Sequence, residues 1–198
     1  MQIDFSKIFA IVIASIFVNN FVLARFLGLC PFIGISRKLD VALGMGISMT
    51  FVVTMSSIIT WPIYHYILLP YNLGYLSIII FILVIACFVQ VVEIFVRKFN
   101  PILYKALGIY LPLITCNCVV LFVTLLNAQD RLSFAESTVQ GFSAGVGFAV
   151  ALVLMTSIRE RLDTADLPKS ITGAPIAFIV AALMSLAFLG FSGLNLIR

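Results

Sequence analysis

Six long apolar runs, joined by short polar stretches, take up nearly the whole chain. They are approximately Ile8–Ile35, Val41–Tyr66, Leu76–Val96, Leu103–Leu126, Phe134–Ile158 and Ala174–Leu194. Each supplies the roughly 20 residues a helix needs to cross about 30 Å of hydrocarbon. Lipid offers no partner to a free backbone amide, so spans of this kind must be helical. A membrane barrel would show alternating segments of about ten residues, and none occur. The pattern therefore predicts an all-α integral membrane protein, a single membrane domain over residues 1–198 with six transmembrane helices.

Two of the runs are interrupted. The first is too long for one simple span and contains Gly28, Pro31 and Gly34; the fourth contains Pro112. Proline removes an amide donor and clashes with the preceding turn. A weak internal repeat accompanies the interruptions. Phe26-Leu-Gly-Leu-Cys30-Pro-Phe precedes Leu43-Gly-Met-Gly46, and Leu113-Ile-Thr-Cys-Asn-Cys118 precedes Gly141-Phe-Ser-Ala-Gly145-Val-Gly147. Three helices separate the units, so the second must be inverted relative to the first. Two inverted three-helix repeats with interrupted helices 1 and 4 place a functional site near the midplane. Chance similarity of glycine-rich helices with ordinary proline kinks is the plainer alternative.

Composition agrees with the pattern. Of 198 residues, 63% are hydrophobic and 10% charged, and the mean hydropathy is +1.21. A soluble domain is nearer a quarter charged. The net charge of +4 does not point to nucleic acid, because no basic patch interleaved with aromatics lies on a polar face. The charges mark topology instead. Arg37, Lys38, Arg97, Lys98, Lys105, Arg159, Arg161 and Lys169 fall in the odd loops, against Lys7, Arg131 and Arg198 opposite. That excess puts the odd loops in the cytoplasm and both termini outside. The first run is too long for a cleaved leader and is expected to be a retained helix.

Candidate chemistry is sparse. Cys30, Cys87, Cys116 and Cys118 all lie in apolar runs, which argues against structural disulfides. Cys30 and Cys118 hold matching places beside the two interruptions, and the inverted fold would bring them together. Two thiolates are half the ligand set of a four-cysteine iron–sulfur cluster; a small buried hydrophobe is the ordinary role of a lone cysteine. Cys116 is about 200° around a helix from Cys118. Cys87 is expected to pack. Glu93, with Gln90 one turn before it, is an acid inside a membrane run, hence an ion or proton candidate, unless it pairs with Arg97. Asn19, Asn20 and Asn117 need partners and serve either as helix glue or as an ion path. Arg25 must snorkel, pair with an acid, or offset thiolate charge. Gly141 and Gly145, with Ala42 and Gly46, allow close helix crossing. His65 sits with Trp61, Tyr64 and Tyr66 in an interfacial aromatic belt. No nucleotide-binding or hydrolase motif is present.

Several stretches together carry a resemblance. Val18-Asn-Asn-Phe-Val-Leu-Ala-Arg-Phe-Leu-Gly-Leu-Cys30-Pro-Phe, Leu111-Pro-Leu-Ile-Thr-Cys-Asn-Cys118, Gly141-Phe-Ser-Ala-Gly-Val-Gly147, Ile158-Arg-Glu-Arg161 and Phe188-Leu-Gly-Phe-Ser-Gly193 resemble the membrane subunits shared by the Rnf electron-transport complex and the Na⁺-translocating NADH:quinone oxidoreductase. The first stretch is closer to the Rnf branch than to its counterpart in the quinone enzyme. The resemblance runs nearly end to end. It implies one subunit of a bacterial inner-membrane translocase that passes electrons between ferredoxin and NAD, coupled to Na⁺ or H⁺ movement. It also implies a [2Fe–2S] cluster shared with a homologous, inverted membrane subunit, each chain giving two cysteines, here Cys30 and Cys118. Cys116 stands where the family often has Thr or Val, and Glu93 falls in a Val-Gln-x-x-Glu segment that favours an ion role. Ferredoxin, flavin and NAD sites would belong to other subunits. A non-redox secondary transporter would share the inverted repeats and broken helices but would hold no iron.

Overall fold

A computed structural model of the chain describes residues 5–18, 20–36, 39–71, 73–99, 114, 117–164 and 173–190. Among these residues eight α-helices follow in order: α1 Phe5–Ile13, running into a π turn at Ala14–Val18; α2 Phe21–Arg25; α3 Leu29–Ile35; α4 Leu39–Ile63, prolonged by a wide turn Tyr64–Leu68; α5 Ser77–Phe99; α6 Cys118–Gln129; α7 Phe134–Asp163; and α8 Ala174–Leu189. Among the described residues there is no strand. Leu39–Leu68, Gly74–Ile94 and Phe134–Asp163 are each long and apolar enough to cross a membrane, and Cys118–Gln129 and Ala174–Leu189 are shorter apolar helices. These fall on the expected second to sixth runs. Pro112 and the rest of the fourth run before Ile114 lie outside the described residues, as do Arg37, Lys38, Lys105, Lys169 and Arg198.

The centre of the fold is the crossing of α4 and α7. Its closeness comes from glycine. A Cβ on Gly145 would stand 2.5 Å from Thr50 Cα, one on Gly141 2.5 Å from Ser57 Oγ, and one on Gly46 2.8 Å from Ala149 Cβ. The small-residue pairs therefore do what their spacing predicts. Contacts that climb α4 from Gly46 to Ser57 descend α7 from Ala149 to Gly141, so the two helices run antiparallel. Each is the second long helix of its unit, and an inverted repeat requires equivalent helices to oppose each other. Met45, Met49, Val53, Phe148, Leu152 and Met155 fill the space around the crossing and are fully buried.

The outside of the bundle is apolar too. Ile79 and Leu83 on α5 and Leu183 and Leu186 on α8 are exposed, a surface suited to hydrocarbon or a neighbouring subunit. Cys87 is exposed on α5, which corrects its expected packing role: among its described side chains α5 buries the line Ser77, Phe81, Ile85, Val89 and turns Cys87 away.

α7 begins at a capping box, Ser133 with Glu136, and runs on past its expected end at Ile158 to Asp163. Arg159 and Arg161, expected in a loop, are helical, and Arg159 is buried.

Candidate functional site

Two asparagines organise the interrupted regions. Asn20 lies in extended backbone, φ −60° and ψ 111°, and its side-chain oxygen accepts from Val22 N at 3.1 Å. Asn117 has φ −77° and ψ 117°, and its oxygen accepts from Val119 N at 3.0 Å. Both are helix N-caps, satisfying an amide that a helix start leaves orphaned. The amide nitrogens finish the job in different ways. That of Asn20 donates to Gly147 O at 2.8 Å and Ile16 O at 3.3 Å; that of Asn117 reaches Met49 Sδ at 3.5 Å. Asn20 is thus a cap and a helix-to-helix bond, and its polar atoms are committed within the chain. Asn19 lies outside the described residues.

The two cysteines reach their helix starts by different routes. Cys118 follows its cap directly, whereas Cys30 comes after a second helix start. Between them α2 ends, Phe26 and Gly28 take left-handed backbone with φ 54° and 73°, and α3 begins at Leu29. The interruption lies at Asn20 and at Phe26–Gly28. Pro31 and Gly34, expected to break the run, are inside α3. Proline is tolerated in a first turn, where its missing amide would have no partner.

The turn nevertheless brings the two segments together. A Cβ on Gly28 would come within 2.9 Å of both Asn117 Oδ1 and Val119 Cγ2. The backbone two residues before Cys30 therefore rests on the residues flanking Cys118. Both thiols are exposed, on helix first turns whose amides favour negative charge.

Residues not singled out from the sequence hold this arrangement. Arg159 Nη1 donates to Ile33 O at 2.8 Å and to Ser36 Oγ at 2.7 Å. It occupies the carbonyl end of α3, where a cation suits the helix dipole. Ser185 Oγ donates to Leu23 O at 2.7 Å and so ties α8 to α2. Glu160 Oε1 accepts from Leu39 N at 3.3 Å at the start of α4. The Ile158-Arg-Glu-Arg161 stretch is a visible cue in the sequence, but charge alone makes it look like a loop.

Arg25 takes a fourth course. Its guanidinium lies over the Phe122 ring, 5.0 Å from the centroid, and Phe122 is one turn beyond Cys118 on α6. Glu93 accepts from Gln90 Nε2 at 3.5 Å in an exposed contact on α5; the Arg97 side chain and Cys116 lie outside the described residues. His65 is exposed and stacks on Trp61 at 5.0 Å and 11°, in keeping with an aromatic belt. Among the described residues no three His, Cys, Asp or Glu side chains gather as a metal-holding group.

Comparison with known proteins fits this architecture. The family described as "Rnf-Nqr subunit, membrane protein" matches residues 8–195. The chain is 53% identical over 186 residues to a subunit of the Na(+)-translocating ferredoxin:NAD(+) oxidoreductase complex of Acetobacterium woodii, covering 94% of this chain and 97% of that one. It is 57% identical over 182 residues to the corresponding subunit of the ion-translocating oxidoreductase complex of Shigella boydii, covering 92% and 94%. It is 50% identical over 182 residues to that of the proton-translocating ferredoxin:NAD(+) oxidoreductase complex of Clostridium ljungdahlii, again covering 92% and 94%. With a family match along nearly its whole length and identities of this size, the chain belongs to the Rnf-Nqr family of membrane subunits.

Proposed function

We propose that this chain is a membrane subunit of an Rnf-type ion-translocating ferredoxin:NAD oxidoreductase and serves there as an electron relay. Cys30 and Cys118 would give two thiolates to a [2Fe–2S] cluster, and a homologous subunit in inverted orientation would give the other two. The observation that carries this reading is the seating of Gly28 against Asn117 and Val119, with both neighbouring thiols exposed. Two cysteines far apart in sequence are thereby presented from adjoining helix starts toward the outside of the chain. That suits ligands shared across an interface better than a site enclosed within one subunit. When bound, such a cluster supplies one-electron transfer at a point part-way across the bilayer, a distance of about 30 Å.

The chain's own part is to hold and orient. The caps at Asn20 and Asn117 fix the two helix starts, and Arg159 secures the far end of α3. The cysteines would ligate iron as thiolates. The relatives include one named Na(+)-translocating and one named proton-translocating at similar identity, so overall likeness does not select the ion. The lysine and arginine distribution favours an inner-membrane placement with both termini on the outer side.

The test is iron analysis with low-temperature EPR on the complex, or on the co-expressed pair of inverted subunits. Cys30→Ser and Cys118→Ser are each expected to abolish the wild-type signal. A full signal in either variant would refute the relay. Ion transport without any cluster signal in the wild type would favour the non-redox transporter reading.

A further inference from the structure

Of the three long spans, the one built on α5 is the most apolar and the least covered. Gly74–Ile94 has a mean hydropathy of 2.8 and is 17% buried within the chain, against 44% for Leu39–Leu68 and 56% for Phe134–Asp163. Two opposite lines run along α5. Phe81, Ile85 and Val89 face the bundle and are buried. Leu83, Cys87, Gln90 and Ile94 recur on the other side and are all exposed, Leu83 at 64% and Ile94 at 60%. Gln90 is the anomaly, an amide turned away from the fold within an apolar span. Glu93, half-buried on the flank of the same line, accepts from Gln90 Nε2 at 3.5 Å. An ionised carboxylate only accepts, so this contact fixes the amide with Oε1 as its other end. Neither Gln90 Oε1 nor Glu93 Oε1 has a hydrogen-bond partner among the described residues.

Water, lipid and protein are the surroundings that can meet this line, and the chemistry separates them. Gln90 stands seven residues before Arg97, about 10 Å along the helix, so the nearer water boundary lies beyond the C-terminal end of α5. Helical side chains lean toward the N-terminus, which carries the amide toward the middle of the span and away from that boundary. Lipid tails hold no donor, and an unpaired polar group in hydrocarbon is costly. A second membrane helix can supply the donor, since hydrogen bonds between polar side chains join helices in the bilayer. A symmetric contact with another copy of this chain would bring two Glu93 carboxylates together, and like charges across an interface repel. A different helix that presents a donor has no such conflict.

We infer that the outward line of α5 is a docking face for a transmembrane helix of a different subunit, and that this helix presents a hydrogen-bond donor, basic or amide, to Gln90 and Glu93. Leu83, Cys87 and Ile94 pack against it on either side of the polar pair. The inference rests on the chain working inside a multi-subunit complex, as proposed above, and does not depend on the cluster.

The experiment places a photoreactive phenylalanine analogue at Leu83 or at Ile94 in the whole purified complex, held in lipid nanodiscs. Illumination is followed by mass spectrometry of the cross-linked peptides. Both positions are expected to join the same transmembrane segment of another subunit, with a donor side chain between the two points of attachment. Adducts with lipid, with a second copy or with residues 100–113 of this chain, and no adduct with another subunit, would overturn the docking face. Gln90→Leu gives a second measure, because it makes the line more apolar without touching the buried side of α5. Docking predicts roughly fivefold lower recovery of the cross-linked subunit with the tagged chain after detergent washing. A lipid-facing line predicts unchanged or better recovery, and that result would count against the proposal. The relay is read separately, by EPR. Cross-links without a cluster signal would defeat the relay alone, and a cluster signal with lipid adducts only would defeat the docking face alone.

Discussion

The two interrupted regions begin alike and end differently. Asn20 and Asn117 cap their helices with the same oxygen-to-amide bond at 3.1 and 3.0 Å. After Asn117 the chain goes straight into Cys118 and a helix of three turns. After Asn20 it makes five helical residues, turns through Phe26 and Gly28, and starts again before reaching Cys30. The cap is common to the two regions, and the cysteine follows it at a different distance in each. One consequence is an asymmetric need for support. The Cys118 helix is continuous and well packed. The Cys30 helix has seven residues, too short to stand alone, and depends on Gly28, Arg159 and Ser36.

Substitutions at the junction of the two regions test that dependence most severely. Gly28→Ala would place an L-residue in left-handed backbone, at about 1–2 kcal/mol, and would overpack against Asn117 and Val119, at about 1–3 kcal/mol. A loss of about 2–5 kcal/mol is expected in denaturant titration of the co-expressed pair, with the iron content falling as well. A stable Gly28→Ala protein with full iron would show that the two segments do not rest on each other.

Next in size is Arg159→Met. It removes the donor to Ile33 O and Ser36 Oγ, which keep only the 3.4 Å bond from Ser36 Oγ to Ile33 O. The expected cost is about 2–4 kcal/mol. Its effect should be lopsided, loosening Cys30 and leaving Cys118 in place. Thiol-labelling rates on iron-free protein would show this as faster reaction at Cys30 alone; equal acceleration at both cysteines would contradict the asymmetry.

The caps give the smaller contrast. Asn117→Ala loses a cap, worth about 1 kcal/mol. Asn20→Ala loses a cap and the bond to Gly147 O, together about 2 kcal/mol. Equal losses in the same stability titration would mean that the Gly147 contact contributes nothing net.

Much of this is legible in the residues. Run length and composition specify membrane helices because lipid leaves the backbone no other choice, and the spacing of Gly141, Gly145, Ala42 and Gly46 specifies a close crossing. The turn at Phe26–Gly28 is not legible in its detail. Gly28, Pro31 and Gly34 look equally disruptive in a string, and only their positions relative to a helix start separate them. Arg159 misleads for a related reason. A charge at the end of an apolar run looks like a loop residue until a carbonyl end from another helix is found beside it.

The smallest structural effect is expected at Arg25, which also bears on the comparison. Arg25 ends the short helix before the Phe26–Gly28 turn, and its guanidinium lies on Phe122, one turn past Cys118. It therefore links the first interrupted region to the Cys118 helix. Exposed cation–π contacts are worth about 0.5–1 kcal/mol, so Arg25→Gln should barely change stability. Its charge should matter more than its packing. A reduced iron–sulfur cluster is more negative than an oxidised one, and nearby positive charge favours reduction. If Cys30 and Cys118 are ligands, Arg25→Gln is expected to lower the reduction potential in an EPR-monitored redox titration, and Arg25→Lys to restore most of it. A potential unmoved by either change would place the cluster away from this guanidinium. Because Arg25 is fixed to the Cys118 helix, that result would also weaken the case for Cys118 as a ligand.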